Sequence, residues 1–136
     1  VSGALSFENW IYEIDSTSIR RLPDSQESSL QGKIMLALQM RLNTSTGGPQ
    51  DRMLDPYFFV LRDDQGRVYV SLPAEAQRYG QTQQPPVPVM GAEVPADNSV
   101  QTQQLVFAIA PDATNLTLFA TGRPDKAWQI PMPPAQ

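Results

Sequence analysis

Lys33-Ile34-Met35-Leu36-Ala37-Leu38-Gln39-Met40-Arg41-Leu42-Asn43 is the stretch on which the fold class turns. Ile34, Leu36, Leu38, Met40 and Leu42 occupy every second position, and Met35, Ala37, Gln39, Arg41 and Asn43 fill the positions between. Side chains of a strand point alternately to its two faces, so this spacing gives one continuous apolar face. Wound into a helix, the same residues would scatter apolar groups around the whole circumference. Leu, Met and Gln favour helix intrinsically. The sustained period of two outweighs that preference, and the stretch reads as a long strand with one buried face.

On the N-terminal side, Leu5 and Phe7 share one phase while Trp10, Tyr12 and Ile14 share the other. That pattern reads as a strand over Leu5–Asp15 with a β-bulge near Glu8–Asn9. Ser16–Gly32 is polar and carries Pro23; it reads as a long loop that allows at most a poor short strand at Ser18–Leu22. On the C-terminal side, Asn43–Pro56 holds Gly47, Gly48 and Pro49 and reads as loop. Tyr57–Leu61 is a run of strand formers, Arg62–Arg67 a turn with Gly66 suited to positive φ, and Val68–Leu72 a second alternating run. Tyr57–Leu72 is therefore expected to be a hairpin. Within Pro73–Tyr79, Ala74–Gln77 allows one helical turn. Gly80–Asn98 is rich in Gln and Pro and is expected to be a long surface excursion, such that deleting Gln81–Pro88 spares the fold. Val100–Ala110, Leu116–Thr121 and Ala127–Ile130 complete the strands, and residues 131–136 form a Pro-rich tail expected to fray.

Six or seven strands that never alternate with long helical patterns argue against a parallel sheet. An antiparallel sandwich is the natural solution, with a barrel as the alternative. The 136 residues fit one domain, able to build its core without staples. Thirteen prolines are too many for a helical protein of this length, because each removes a backbone donor and blocks helix interiors.

Composition also removes whole classes of function. A net charge of −4 argues against nucleic acid, which selects a basic footprint, and against anionic membrane surfaces. The chain has no cysteine, which excludes thiol nucleophiles, disulfides and thiolate-ligated metals. It has no histidine, which removes the commonest general base, the usual catalytic triad and nearly all transition-metal sites. No apolar run approaches the roughly 20 residues needed to span a bilayer. Beginning at Val1, the chain is expected to be the processed or trimmed form of a longer one.

Three stretches in order carry a resemblance. The first is Lys33–Asn43 itself. The second is Phe59-Val60-Leu61-Arg62-Asp63-Asp64-Gln65-Gly66-Arg67-Val68-Tyr69, and the third runs from Val106-Phe107-Ala108-Ile109-Ala110-Pro111-Asp112 to Leu118. Together they resemble the bacterial extracytoplasmic immunoglobulin-like domains of unknown function, a group of lipoprotein and membrane-tethered modules that includes a secreted mycobacterial immunoprotective antigen. The resemblance spans roughly Gly32 to Phe119. It departs where that group has a Pro-Gly turn before the third stretch, since Ala96-Asp97-Asn98-Ser99 stands there instead. The resemblance implies an all-β, immunoglobulin-like sandwich of about seven strands, an exported location and no catalytic residues.

Residues of types that carry chemistry are few. Asp63 and Asp64, with Asp51 and Asp55, offer oxygen ligands for calcium, but their spacing matches no EF-hand and Asp is a favoured turn residue. Glu8, Glu13, Glu27, Glu75 and Glu93 lie on separate segments, and nothing pairs them as glycoside chemistry requires. Without histidine, only Lys33 or Lys126 could activate a serine, and no Ser-x-x-Lys motif occurs. Trp10, Tyr12, Tyr57, Tyr69, Tyr79 and Trp128 could stack on sugars or on proline-rich peptides; core filling is the simpler use of them. Asn43-Thr44-Ser45 and Asn115-Leu116-Thr117 fit the glycosylation sequon, irrelevant for a bacterial chain.

The resulting expectation is a non-catalytic module without cofactor or metal that binds a protein or cell-envelope partner. Tyr79, Gln81, Gln83, Gln84, Pro85 and Pro86 are the candidate contacts, because loops on a rigid scaffold are where binding residues concentrate. The alternative is a carbohydrate-binding module, supported by calcium, with exposed aromatics aligned on one face.

Overall fold

Ile34, Leu36, Leu38, Met40 and Leu42 are all buried, on one face of a strand that runs from Ile34 to Thr44. The computed structural model describes residues 5–7, 10–23, 28–44, 57–91, 100–121 and 127–131. In chain order these form β1 (Leu5–Phe7), β2 (Trp10–Leu22), β3 (Ile34–Thr44), β4 (Phe59–Arg62), β5 (Val68–Tyr69), α1 (Pro73–Gln81), β6 (Gln101–Ile109), β7 (Leu116–Ala120) and β8 (Ala127–Ile130). Two four-stranded sheets result, ordered β1-β2-β3-β6 and β5-β4-β7-β8, with every neighbouring pair antiparallel.

The sheets face each other across a common core. Tyr12, Leu38, Met40 and Phe107 from the first pack in one cluster with Phe59, Leu61, Leu118 and Trp128 from the second. The Tyr12 ring stands edge-on to Phe59 and Trp128, with centroids 5.0 and 5.7 Å apart. Each such large side chain removed from water contributes about 1.5–3 kcal/mol. The chain is thus all-β apart from α1 and a single 3-10 turn among the described residues.

The opposite face of β3 is half covered as well. Met35 and Ala37 are buried with Val106 of β6 beneath Ala76 of α1. Only Gln39, Arg41 and Asn43 remain partly exposed on that face, where Arg41 pairs with Glu13 across the sheet at 2.7 Å. Small side chains at Ala37 and Ala76 let the helix lie close to the sheet.

Four expectations are corrected here. The expected single strand Leu5–Asp15 is two paired strands, with Phe7 opposite Trp10; Glu8–Asn9, where a bulge was expected, lie outside the described residues. The polar stretch after Asp15 is strand as far as Leu22: the short strand allowed at Ser18–Leu22 is present, and it is the continuation of β2 rather than a separate element. Its bulge lies between Asp15 and Arg20, where the Gln39 N–H, opposite Asp15, donates at 2.8 Å to Ser18 Oγ. A side-chain oxygen thus substitutes for a backbone acceptor, and Ile19 still reaches the core. The single helical turn is a nine-residue helix. Pro73 opens it, Glu75 lies in its first turn and Arg78 in its last, which suits the helix dipole. Gly80, which as a glycine reads as a stop, is inside the helix and buried.

The fourth correction concerns the start of the expected excursion. Gly80 and Gln81 belong to α1, and the chain then turns back onto β6. The Val87 N–H donates to Gly80 O at 2.9 Å, and Val89 bridges Gln104 in parallel. Met90 is fully buried in the main core. Residues 92–98 of that excursion, and the tail from 132, lie outside the described residues.

Candidate functional site

Three adjacent hollows surround the segment that returns from α1. The largest, about 620 Å³, has Gln83, Gln84, Pro85, Pro86, Val87 and Pro88 along one wall. Gln39 of β3 forms its floor, and Val100, Gln101 and Thr102 at the start of β6 form the other wall. A polar hollow of about 220 Å³ continues from it past Gln39 and Gln83 to Tyr79, Asp15, Ser18 and Arg20. The third, about 370 Å³, lies between Gln77 and Gln81 of α1 and the segment Pro86–Val89.

The positions of these walls follow from local chemistry. The Thr82 N–H and hydroxyl both bond to Tyr79 O, closing the helix at its last turn. Gln83 N–H and Val87 N–H share Gly80 O as acceptor, at 3.2 and 2.9 Å. Gly80 permits that approach because it has no side chain: a Cβ there would stand 2.2 Å from the Val87 carbonyl oxygen. Prolines 85, 86 and 88 have no N–H, so the outer edge of this segment cannot continue a ladder. Beneath it, Gln104 is fully buried and satisfied. Its amide donates to Leu38 O at 3.0 Å and Leu105 O at 3.1 Å, and its oxygen accepts from Gln39 at 3.1 Å.

All six sequence candidates therefore border this region. Tyr79 is half-buried against the Met35–Ala37 cluster and lines the polar hollow. Gln81, exposed at the helix end, lines the third hollow. Gln83 joins the first two hollows, and Gln84, Pro85 and Pro86 wall the first. Sequence reasoning missed the sheet side: Gln39, Val100, Gln101 and Thr102, and the bulge residues Asp15, Ser18 and Arg20. The available signal was a run of glutamine and threonine, Gln101-Thr102-Gln103-Gln104, entering a strand where apolar residues would be expected.

The acidic turn has a different character. Asp63 is buried, and its carboxylate accepts from Arg67 Nε at 2.6 Å, Tyr69 OH at 2.8 Å, Arg67 N–H at 2.9 Å and Gln65 N–H at 3.0 Å. Burial alone would push its pKa up, but these donors outweigh burial and bring it to about 2. The Tyr69 hydroxyl is pushed up by burial and by its bond to Asp63. Arg67 also bonds Asp112 at 3.0 Å, lowering that carboxyl, and so ties the β4–β5 turn to the turn before β7. A carboxylate held anionic by four donors neither carries a proton nor offers a free oxygen to a metal. Asp51 and Asp55 lie outside the described residues.

The remaining candidates are dispersed. Glu13 pairs with Arg41 and Glu75 with Arg78, on separate elements. Glu8, Glu27, Glu93 and Lys126 lie outside the described residues, and Lys33 is exposed. Trp128 and Tyr12 are buried in the core and Tyr69 is half-buried, while Tyr57 is 49% exposed. Among the described residues, then, no row of exposed aromatics forms on one face; the side chain of Trp10 is outside them.

No protein-family model matches the chain, and no curated protein matches it. Two solved structures are similar in fold. A conserved hypothetical protein from Bacillus anthracis superposes with a TM-score of 0.66 at 14% identity, over 96% of this chain and 94% of that one. A "putative lipoprotein" from Bacillus subtilis superposes with a TM-score of 0.59 at 13% identity, over 87% of this chain. The chain spans 33% of that protein's length. At such identities the likeness concerns the fold. Among the described residues, no helix is long and apolar enough to cross a membrane.

Proposed function

We propose that the chain is a non-catalytic, extracytoplasmic immunoglobulin-like module that binds a protein or cell-envelope partner through the cleft between Gln83–Pro88 and the start of β6. The observation that carries this reading is the cleft itself. It is a preformed concavity whose walls, among the described residues, are glutamine amides, threonine, valines and proline rings, without an acid, a base or a nucleophile–base pair. Such a surface recognises; it has nothing with which to transfer a proton or attack a bond.

Strand order supports the immunoglobulin-like part. β2, β3 and β6 take the places of strands A, B and E in one sheet; β5, β4, β7 and β8 take those of C′, C, F and G in the other. The likeness in fold to the "putative lipoprotein" from Bacillus subtilis supports an exported setting.

Thermal-shift measurement against proline-rich peptides, envelope fragments, sugars and calcium tests the reading. A ligand at 100 times its dissociation constant stabilises by about 2.7 kcal/mol, on the order of 10 °C for a domain of this size. The shift should vanish in a Gln83→Ala/Gln84→Ala variant whose own melting temperature is unchanged. A shift with calcium or a simple sugar that survives this double substitution refutes the cleft as the binding site.

A further inference from the structure

We infer that the cleft takes an uncharged, extended polypeptide segment, which adds as a strand to the outer edge of β6 at Thr102; this rests on the cleft being the binding site. Along an antiparallel pair, residues alternate between those bonded to the partner strand and those whose backbone groups turn away from it. Gln104 turns away from β3: its N–H donates to Pro88 O at 2.8 Å, and its C=O accepts from Met90 N–H at 3.0 Å. Val106 does the same, accepting from Leu72 N–H at 2.8 Å. Two residues before Gln104, Thr102 stands opposite Arg41 in the same register. Its N–H and C=O therefore also face outward, into the cleft that Thr102 lines.

The chain thus covers its own edge strand at Gln104 and Val106, as edge strands generally require. Among the described residues, cover from that side stops at Thr102. The wall there runs from Gln83 to Pro88; Pro85, Pro86 and Pro88 have no N–H to offer, and Gln83 donates its own to Gly80 O. Val87 has one and spends it on Gly80 O. Among the described residues no backbone group pairs with Thr102 on its outward side. A donor and an acceptor side by side on a strand edge are what an extended backbone satisfies. Among the described residues, the side chains around them are Gln39, Gln83, Gln84 and Gln101, with Val87, Val100 and the three prolines. Amides and apolar groups of this kind bond to or pack against peptide groups and bring no opposite charge into this cleft to pair with a charged side chain; Asp15 and Arg20 line only the adjoining polar hollow.

Hydrogen exchange on the free protein is the first test. The Thr102 amide should exchange much faster than the Gln104 amide, and a Thr102 amide as protected as Gln104 overturns the inference, because that edge is then already paired. The second test titrates a capped hexapeptide of alternating valine and threonine, followed by amide chemical shifts. Saturable shifts centred on Thr102, with at least tenfold slower exchange there, are expected. An N-methylated version of the peptide should bind at least tenfold more weakly.

Thr102→Pro removes the outward donor but no bond to β3, and proline is tolerated on an edge of this kind. It should abolish peptide binding while the thermal transition is retained. If this variant fails to fold, the N-methylated peptide and the exchange data on the unaltered protein decide alone. A hexapeptide that binds equally with or without N-methylation, or not at all at millimolar concentration, overturns strand addition. A glycan fragment that shifts Gln39 and Gln83 and binds Thr102→Pro undiminished also overturns strand addition and leaves the cleft as the binding site. Ligands that bind only elsewhere overturn both.

Discussion

Gly80→Ala is a substitution for which helix propensity and packing point in opposite directions. Alanine in place of glycine inside a helix is worth up to about 1 kcal/mol in favour of the variant. Against this stands the contact with the returning chain. An ideal Cβ on Gly80 would lie 2.2 Å from the Val87 carbonyl oxygen, and ordinary contact begins near 3.4 Å. The carbonyl must therefore retreat by about 1.2 Å. It cannot move alone. Val87 N–H bonds Gly80 O, Pro88 O accepts from Gln104, and Met90 N–H bonds Gln104 O. Overpacking of this sort costs about 1–3 kcal/mol, and each strained hydrogen bond adds about 1 kcal/mol.

Packing wins, and Gly80→Ala should destabilise by about 2 kcal/mol net, from the overpacking and hydrogen-bond terms above less the propensity gain. For a domain of this length that lowers Tm by roughly 8 °C. The assay is thermal unfolding with Ala74→Gly as a companion. Ala74 is exposed on the same helix, and glycine there should cost about 1 kcal/mol by propensity alone. Opposite exchanges of the same two residues should thus both destabilise. If Gly80→Ala melts at or above the parent temperature, Val87 does not rest on Gly80 and the cleft wall is not where it has been placed.

Ser18→Ala removes the oxygen that accepts Gln39 N–H at 2.8 Å. It should cost about 1–3 kcal/mol for the stranded donor, read as a lower urea midpoint with unchanged slope. Trp128→Ala opens the core beside Tyr12 and Phe59 and should cost about 3–5 kcal/mol, measured by the same titration. Asp63 supplies a pH dependence. Its folded pKa, about 2, lies below the ordinary value of 3.8, so the stability it contributes is fully present above pH 4 and is lost as pH falls toward 2. Asp63→Asn should be less stable at pH 7 and should flatten that acid limb; urea midpoints from pH 7 to 2 that fall in parallel for both proteins would refute the assignment.

Much of the fold was legible because period two survives wherever one face of a strand meets the core. Leu36, Leu38 and Met40, then Leu105, Phe107 and Ile109, show it cleanly, and both sets are buried. The turn between β4 and β5 was legible from Asp63 and Gly66, the latter at φ 82°. The second half of β2 was hidden, because its bulge shifts the phase and Ser18 is a loop-like residue inside a strand. Helix α1 was hidden by its ends: Pro73 and Gly80 look like punctuation, and only the proximity of Val87 explains a glycine in the last turn.

The candidate site divided along the same line. Its loop side announces itself through composition, since Gln83, Gln84, Pro85 and Pro86 cannot form a regular ladder among themselves. Its sheet side does not, because Gln39 and Thr102 look like ordinary outward residues of a half-buried sheet. What makes them special is non-local: α1 covers that face as far as Ala37 and stops before Gln39.

That covering also decides how the cleft can work. A glutamine- and proline-rich loop free in solvent would have to be ordered by its ligand, at about 0.5–1.5 kcal/mol for each rotamer-rich side chain immobilised. Here the segment is tied at Gly80 on one side and at Gln104 on the other, and Met90 anchors its end in the core. The backbone of this wall is ordered by folding, so on this side a partner need order side chains such as Gln83 and Gln84 and not the segment itself. Gly80→Ala should therefore weaken any ligand of the cleft, and Ala74→Gly should leave its affinity unchanged under conditions where both variants are folded, because only the first substitution moves the wall.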